Sequence, residues 1–162
     1  MIQPSNQPIE HTKETHSDAP QLPVSWYTDP AIYALEEKHL FQKSPKYWGH
    51  ALMTPNQGDF YALGWMQDAK ALVHNQQGIS LISNICRHRQ AIMLNRQGHA
   101  KHIVCPLHRW TYNLQGELLG APHFDGNPCL HLSNTPLSNW QGLLFDGKRD
   151  IAKDLAQLGC NQ

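Results

Sequence analysis

Two short segments of this chain each pair one cysteine with one histidine. The first reads C-R-H from Cys86 to His88, and the second reads C-P-L-H from Cys105 to His108. Thiolate sulfur and imidazole nitrogen are both good ligands for transition metals. If the two segments face each other, they present two sulfurs and two nitrogens to one place, which is the donor set of a metal centre.

The alternation of these ligands discriminates between kinds of metal site. Structural zinc sites usually group two cysteines and then two histidines, whereas here each segment supplies one of each. A two-iron cluster suits the alternation, because one iron takes both thiolates and the other takes both imidazoles. Neutral imidazoles lower the negative charge and raise the potential from about −400 mV to about −150 to +300 mV. A zinc site and two unrelated cysteine–histidine pairs are the less favoured alternatives.

The stretches that come before the two segments predict β-strands that would position them. Ile79–Ile85 precedes the first segment and Lys101–Val104 precedes the second, with a turn predicted at Asn95–Gly98. From Tyr47 onwards, short apolar runs alternate with turns that contain Asn, Asp and Gly, which is typical of a small antiparallel β domain. Both segments are then loops at strand ends.

One helix is predicted outside this β domain, ahead of it in the chain. Asp29 has the residue type of an N-cap, and Pro30 suits the first helical position. The helix is expected to end near Phe41, with Ile32, Leu35 and Leu40 partly facing a core.

Composition limits the remaining possibilities. Lys+Arg and Asp+Glu number 13 each in the 162 residues, so charge gives no indication of a nucleic-acid partner. The chain has no run long enough for a membrane span and no signal-peptide pattern at its start, so we expect a cytoplasmic protein without a membrane partner. Four cysteines in a reducing compartment favour metal binding over a disulfide framework. Residues 1–24 predict a flexible arm, 25–147 the domain and 148–162 a C-terminal helix or tail.

Over roughly residues 25 to 147, the sequence resembles the Rieske [2Fe–2S] domain at the N-terminus of ring-hydroxylating oxygenase α subunits. That family carries C-x-H, a gap, and C-x2-H followed by an aromatic stretch. Here the gap is 16 residues, 89 to 104, and Trp110 and Tyr112 follow the second histidine. The resemblance implies a mainly β, small antiparallel domain with two cluster-binding loops. The ligands that it implies are Cys86, His88, Cys105 and His108, with Arg109, Trp110 and Tyr112 as the surroundings of the cluster.

The chain departs from the family at two positions in the loops. Family members often carry glycine directly after the second histidine, where this chain has Arg109, and two residues after the first histidine, where it has Gln90. Glycine there would relieve crowding near the cluster. Neither departure changes an implied ligand, although Arg109 adds a positive charge close to the iron.

The resemblance also separates this chain from the Rieske proteins of respiratory complexes. Those proteins carry an extra cysteine in each loop, whereas the matching positions here are Ala91 and Leu107, so no cross-loop disulfide can form. Their serine donor to a cluster sulfur is replaced here by Trp110, while Tyr112 matches a second donor position. Fewer donors imply a lower potential within the Rieske range.

The function implied is one-electron transfer, as the redox domain of an aromatic-ring-hydroxylating oxygenase that lacks its catalytic domain. The implied donor is a ferredoxin or flavin reductase, and the implied acceptor is a mononuclear-iron oxygenase domain or subunit. After Trp140 the sequence contains no D-x2-H-x4-H-type segment for a second iron, so the chain is not expected to hydroxylate anything alone. The alternatives are a stand-alone Rieske ferredoxin and a non-redox module with a structural metal.

Other cysteines and histidines are expected to do less. Cys129 has the character of a small buried residue, and Cys160 that of an exposed thiol. His99 and His102 are expected to be solvated hairpin residues rather than ligands. His123 either packs over the edge of the cluster or belongs to an ordinary loop.

Overall fold

The computed structural model describes residues 22–67 and 69–159. Within those residues the chain forms eleven β-strands and two α-helices. In chain order these are α1 Pro30–Glu36, β1 Lys46–His50, β2 Asp59–Ala62, β3 Lys70–Asn75, β4 Gly78–Ser83, β5 Gln97–His99, β6 Ile103–Val104, β7 Thr111–Tyr112, β8 Leu118–Gly120, β9 Asn134–Pro136, β10 Ser138–Trp140, β11 Leu143–Asp146 and α2 Ile151–Gln157.

The strands form three antiparallel sheets. A five-stranded sheet has the order β5-β2-β3-β4-β9, and two three-stranded sheets have the orders β1-β11-β10 and β6-β7-β8. Every named strand pair is antiparallel. The expectation of a mainly β, antiparallel domain with few helices is therefore confirmed.

Strand β3 contributes to two separate cores, because successive side chains of a strand point to opposite faces of its sheet. Ala71 and Val73 face the core that also contains strands β6 to β8, whereas Leu72 faces a core that contains Leu144 of β11. We call the first the loop-side core and the second the far core. The five-stranded sheet thus lies between the other two. The buried loop-side residues are Ala71, Val73, Ile82, Cys86, Met93, Leu94, Ile103, Cys105, Trp110, Tyr112, Leu114, Leu118 and Leu132.

The turn between β3 and β4 forms where the sequence predicts one. Asn75 and Gly78 are the last paired residues of the hairpin, and Gly78 has φ +115°, which glycine adopts without steric cost. The predicted turn at Asn95–Gly98 is wrong in its second half, because Gly98 lies inside strand β5 opposite Phe60. A Cβ at Gly98 would lie 2.6 Å from the Phe60 ring, so glycine here makes room for that ring.

The N-terminal helix begins as predicted but is shorter. The Asp29 side chain accepts a 2.8 Å hydrogen bond from the Ala31 N–H, and the α-helix ends at Glu36 before a π-helical turn, Glu37–Phe41. Leu35 and Leu40 are 54% and 55% exposed, so the expectation that they face a core is wrong. The main contacts of the helix are with its own flanking turns.

The remaining predictions for the termini have mixed outcomes. Helix α2 lies within the segment for which the sequence predicts a helix or tail, and the side chain of its N-cap Asp150 accepts from the Lys153 N–H at 3.1 Å. The predicted flexible arm falls almost wholly outside the described residues, as does Cys160. Among residues 22–67 and 69–159, we find no helix with both the length and the apolar character needed to cross a bilayer.

Candidate metal centre

The first cysteine–histidine segment lies in a tight loop, residues 86–91, that we call the first loop. The Cys86 N–H donates to the Ala91 carbonyl at 2.9 Å, and the Gln90 N–H donates back to the Cys86 carbonyl at 3.0 Å. These two bonds close the loop on itself and leave the side chains of residues 86 and 88 on the same small turn.

The second loop, residues 105–110, closes in the same way. The Cys105 N–H donates to the Trp110 carbonyl at 2.8 Å, and the Arg109 N–H donates to the Cys105 carbonyl at 3.1 Å. The histidine is two residues after the cysteine in the first loop and three after it in the second, yet both loops have one backbone geometry. The two loops therefore share a backbone geometry, although the spacing between cysteine and histidine differs.

The shared backbone geometry explains why the family often has glycine at the two positions that Gln90 and Arg109 occupy here. Gln90 and Arg109 are each four residues after the loop cysteine, and they have φ of 55° and 61°. This left-handed conformation costs an ordinary residue about 1 kcal/mol or more, whereas glycine adopts it freely. Glycine at these positions suits the backbone angle itself.

The loops bring the four candidate ligands together. Cys86 and Cys105 are both buried in the loop-side core, and the ring centroids of His88 and His108 lie 4.6 Å apart. The Nδ1 atoms of both imidazoles are buried and have no hydrogen-bond partner. No three His, Cys, Asp or Glu side chains of the described residues converge as a site for one metal ion. A two-iron cluster does not need such convergence, because each iron takes only two protein ligands.

Burial acts on the protonation of both ligand types in the first loop. Burial raises the pKa of the Cys86 thiol, although the backbone N–H of His88 and the Tyr112 hydroxyl oppose this shift. Burial also lowers the pKa of His88, and the neighbouring His108 and Arg89 lower it further. The neutral imidazole is the form that binds metal, so burial favours metal binding by His88, whereas the raised pKa of Cys86 opposes formation of the thiolate.

Tyr112 is the hydrogen-bonding neighbour of the first loop. Its Oη lies 3.6 Å from Cys86 Sγ and accepts from the Arg87 N–H at 3.2 Å. Because that N–H occupies the oxygen as a donor, the hydroxyl proton can point toward the sulfur. Burial raises the pKa of Tyr112 far above its usual value, which keeps this proton in place. The geometry suits the donor role that the sequence implied.

Two aromatic rings cover the histidine of the first loop. Trp110 stacks on His88 with ring centroids 4.9 Å apart and planes within 6°, and Phe124 meets both rings edge-on, at 5.7 Å from His88 and 5.1 Å from Trp110. Sequence reasoning considered His123 for this position, but His123 is exposed. The ring that contacts His88 is that of its neighbour Phe124, and the sequence indicated this position only because the two residues are adjacent.

The other candidate residues lie apart from this centre. His99 is exposed, as expected for a hairpin residue, and its Nδ1 pairs with Asp59 at 2.9 Å, while His102 is also exposed. Cys129 is exposed, so its expected burial is wrong. It occupies a positive-φ turn, where its Sγ contacts the Asn127 carbonyl at 3.5 Å.

The sequence model of the family described as "Rieske [2Fe-2S] domain" matches residues 46–137, a range that contains both loops. The chain belongs to the Rieske [2Fe–2S] domain family. The cofactor of the domain is accordingly a Rieske [2Fe–2S] cluster, and the residues present fit it. Two buried thiols and two buried, unpartnered imidazole Nδ1 atoms are the donor types that such a cluster takes.

Similar proteins of known activity contain the Rieske domain as one part of a longer chain. Putrescine 2-hydroxylase of Ralstonia nicotianae is 59% identical over 139 residues, which cover 86% of this chain and 38% of the hydroxylase. The oxygenase subunit of glycine betaine monooxygenase from Chromohalobacter salexigens is 33% identical, over 62% of this chain and 23% of that protein. The chain thus spans well under half the length of these relatives.

A solved structure shows the same fold at low identity. Naphthalene 1,2-dioxygenase from Rhodococcus sp. superposes with a TM-score of 0.67 at 23% identity, over 85% of this chain and 34% of the dioxygenase. The expected resemblance to the Rieske domain of oxygenase subunits is confirmed, and with it an electron-transfer role for the domain.

Proposed function

We propose that this Rieske domain is the electron-transfer part of an oxygenase, and that its cluster ligands are Cys86, His88, Cys105 and His108. The observation that supports this most directly is the meeting of two buried, unpartnered imidazole Nδ1 atoms beside two buried thiols. When bound, the cluster supplies one-electron chemistry. We assign residues 25–147 to the redox unit and 148–162 to a C-terminal helix and tail.

The residues of the site would protect one side of the cluster and leave the other approachable. Cys86 and Cys105 are buried, whereas His88 and His108 are only half-buried. An electron partner would therefore approach the edge that the imidazoles form.

The side chains around that edge indicate the kind of partner. Leu107 is 60% exposed and Phe124 is 46% exposed, and the arginines at 87, 89 and 109 are exposed as well. Such a surface favours partners that combine acidic and apolar side chains, because opposite charges steer association while apolar contacts stabilise the complex. We propose a ferredoxin or flavin reductase as donor and the mononuclear iron of an oxygenase domain or subunit as acceptor.

The relatives suggest a substrate class different from the aromatic rings expected from the sequence. Identity to the putrescine 2-hydroxylase is 59%, against 33% to the glycine betaine monooxygenase subunit. We propose that the associated oxygenase hydroxylates an aliphatic diamine of the putrescine type. Substrate recognition would rest on a region that the match does not include, since the match covers 38% of the hydroxylase.

The ligand assignment is tested by His108→Ala, with His102→Ala as the matched control. The reduced wild-type protein should contain two irons and give the rhombic EPR signal of a Rieske cluster, and His108→Ala should lose most of both because one iron loses a ligand. His102 is an exposed histidine outside both loops, so its variant should keep both. An unchanged spectrum and iron content in His108→Ala would refute the assignment.

The oxygenase role is tested separately from the ligands. The isolated chain should accept one electron reversibly and give no hydroxylated product from putrescine or from naphthalene, because four protein ligands saturate the two irons. Hydroxylation by the chain alone would contradict the proposal. A stable, freely diffusing carrier that reduces a separate oxygenase would favour the ferredoxin alternative, and a colourless zinc protein would favour the structural-metal alternative.

A further inference from the structure

One polar atom beside the candidate ligands is not explained by ligation. Within the described part of the chain, the buried side-chain polar atoms without a hydrogen-bond partner include three at this centre, and they belong to His88, His108 and Trp110. Nδ1 of each imidazole is accounted for by the cluster. Nε1 of Trp110 is not, because an indole nitrogen carries a proton and is a donor only.

A buried N–H without an acceptor is costly, by about 1 to 3 kcal/mol, and such groups are rare in folded proteins. Trp110 is only 1% exposed, so neither solvent nor a docked partner can supply the acceptor. The ring is also held in place, since it stacks on His88 within 6° and meets Phe124 edge-on. A cluster bound at His88, on which this ring stacks, would bring acceptors into the same enclosed space.

Sulfurs are the acceptors that the candidate ligands contribute to this centre, and the Tyr112 hydroxyl lies 3.6 Å from Cys86 Sγ. A bound [2Fe–2S] cluster adds two bridging sulfides to the two thiolates, all of them anionic and able to accept. We propose that the Trp110 indole N–H donates a hydrogen bond to a sulfur of the cluster and thereby stabilises its reduced form.

The inference rests on the proposed ligand set, and it revises one expectation from the sequence. Trp110 occupies the position at which respiratory Rieske proteins carry a serine donor, and the sequence alone suggested that this donor is lost. On the present inference the indole replaces it. A donor to sulfur stabilises the additional negative charge of the reduced cluster, so it raises the potential.

The test is the reduction potential of Trp110→Phe, which keeps an aromatic ring against His88 and removes the N–H. We expect the equilibrium constant for one-electron reduction to fall about three- to tenfold, which is about 30 to 60 mV at 59 mV per tenfold. The matched control is Trp48→Phe, because Trp48 also has a buried, unpartnered Nε1 but packs against the far core. Its potential should match the wild type.

Iron and sulfide content are measured on each variant, so that a failure of the ligand assignment and a failure of this inference give different results. If Trp110→Phe retains two irons and its potential is unchanged, this inference is overturned while the ligand assignment stands. If Trp110→Phe does not retain its cluster, the wild-type chain labelled with 15N in its indoles decides the question. Pulsed EPR of the reduced protein should then resolve a 15N coupling, and its absence would overturn the inference.

Discussion

The two ligand loops have the same backbone and different surroundings. Each closes with the same pair of backbone hydrogen bonds, and each has a left-handed residue four positions after its cysteine. In the first loop, however, the sulfur contacts Tyr112 and the imidazole stacks on Trp110. Trp110 is the last residue of the second loop, and Tyr112 lies two residues after it. The tip of the second loop is Leu107, which is exposed.

This difference teaches that the loops are not equivalent partners. The first loop is supported by Trp110 of the second loop and by Tyr112 just after it, and both loops carry exposed side chains. Damage at residues 110 and 112 should therefore disturb the ligands of the first loop, although these residues are far from it in sequence. Three changes test this comparison, in decreasing order of expected effect.

The largest effect is expected for Trp110→Ala compared with Phe124→Ala. Removing the buried Trp110 leaves a cavity and removes the stack on His88, so the free energy of unfolding should fall by about 3 to 5 kcal/mol. Phe124 is 46% exposed, and its removal should cost about 1 to 2 kcal/mol. Denaturant unfolding of both variants measures the difference. Equal losses would mean that the support comes from the aromatic cluster as a whole and not from the second loop.

An intermediate effect is expected for Tyr112→Phe. The change removes the hydroxyl between Cys86 and the Arg87 N–H and leaves the ring in the core. The free energy of unfolding should fall by about 1 kcal/mol, and the potential should fall by about 20 to 60 mV because a donor to a thiolate is lost. A redox titration beside the unfolding curve checks both values. An unchanged potential would show that Tyr112 supports the Arg87 backbone and not the sulfur.

The smallest effects are expected for Gln90→Gly and Arg109→Gly, one in each loop. Glycine should relieve the left-handed backbone by about 1 to 2 kcal/mol while it adds about 0.5 to 1 kcal/mol of chain entropy, so each variant should gain about 0.5 to 1 kcal/mol in the free energy of unfolding. Arg109→Gly also removes a positive charge and should lower the potential slightly, whereas Gln90→Gly should not. Equal gains in stability would confirm that the two loops share one frame, and a gain in only one would refute it.

The sequence predicted the positions of the two loops because the information that specifies them is local. The spacing of Cys86 and His88 and of Cys105 and His108 lies within four residues, and the Asp29 cap and the Asn75–Gly78 turn are equally short-range. Family resemblance then identified the cofactor. The features that could be predicted are those in which a few neighbouring residues determine the local backbone conformation.

The rest depends on contacts between distant residues. Leu35 is exposed although its helix has an apolar pattern, because a pattern does not guarantee that a neighbouring surface exists. Phe124 reaches Trp110 and His88 across gaps of 14 and 36 residues, which no local pattern encodes. Strand β4 buries both of its faces, with Leu81 in the far core and Ile82 in the loop-side core.

Strand β3 gives the domain a mechanical property that neither core has alone. Its side chains alternate between the loop-side core and the far core, so its backbone is shared by both halves of the molecule. The hairpin of β3 and β4 cannot leave one core without leaving the other, and local opening of either half is thereby coupled to global unfolding. A disturbance beside the iron should therefore lower the stability of both cores together.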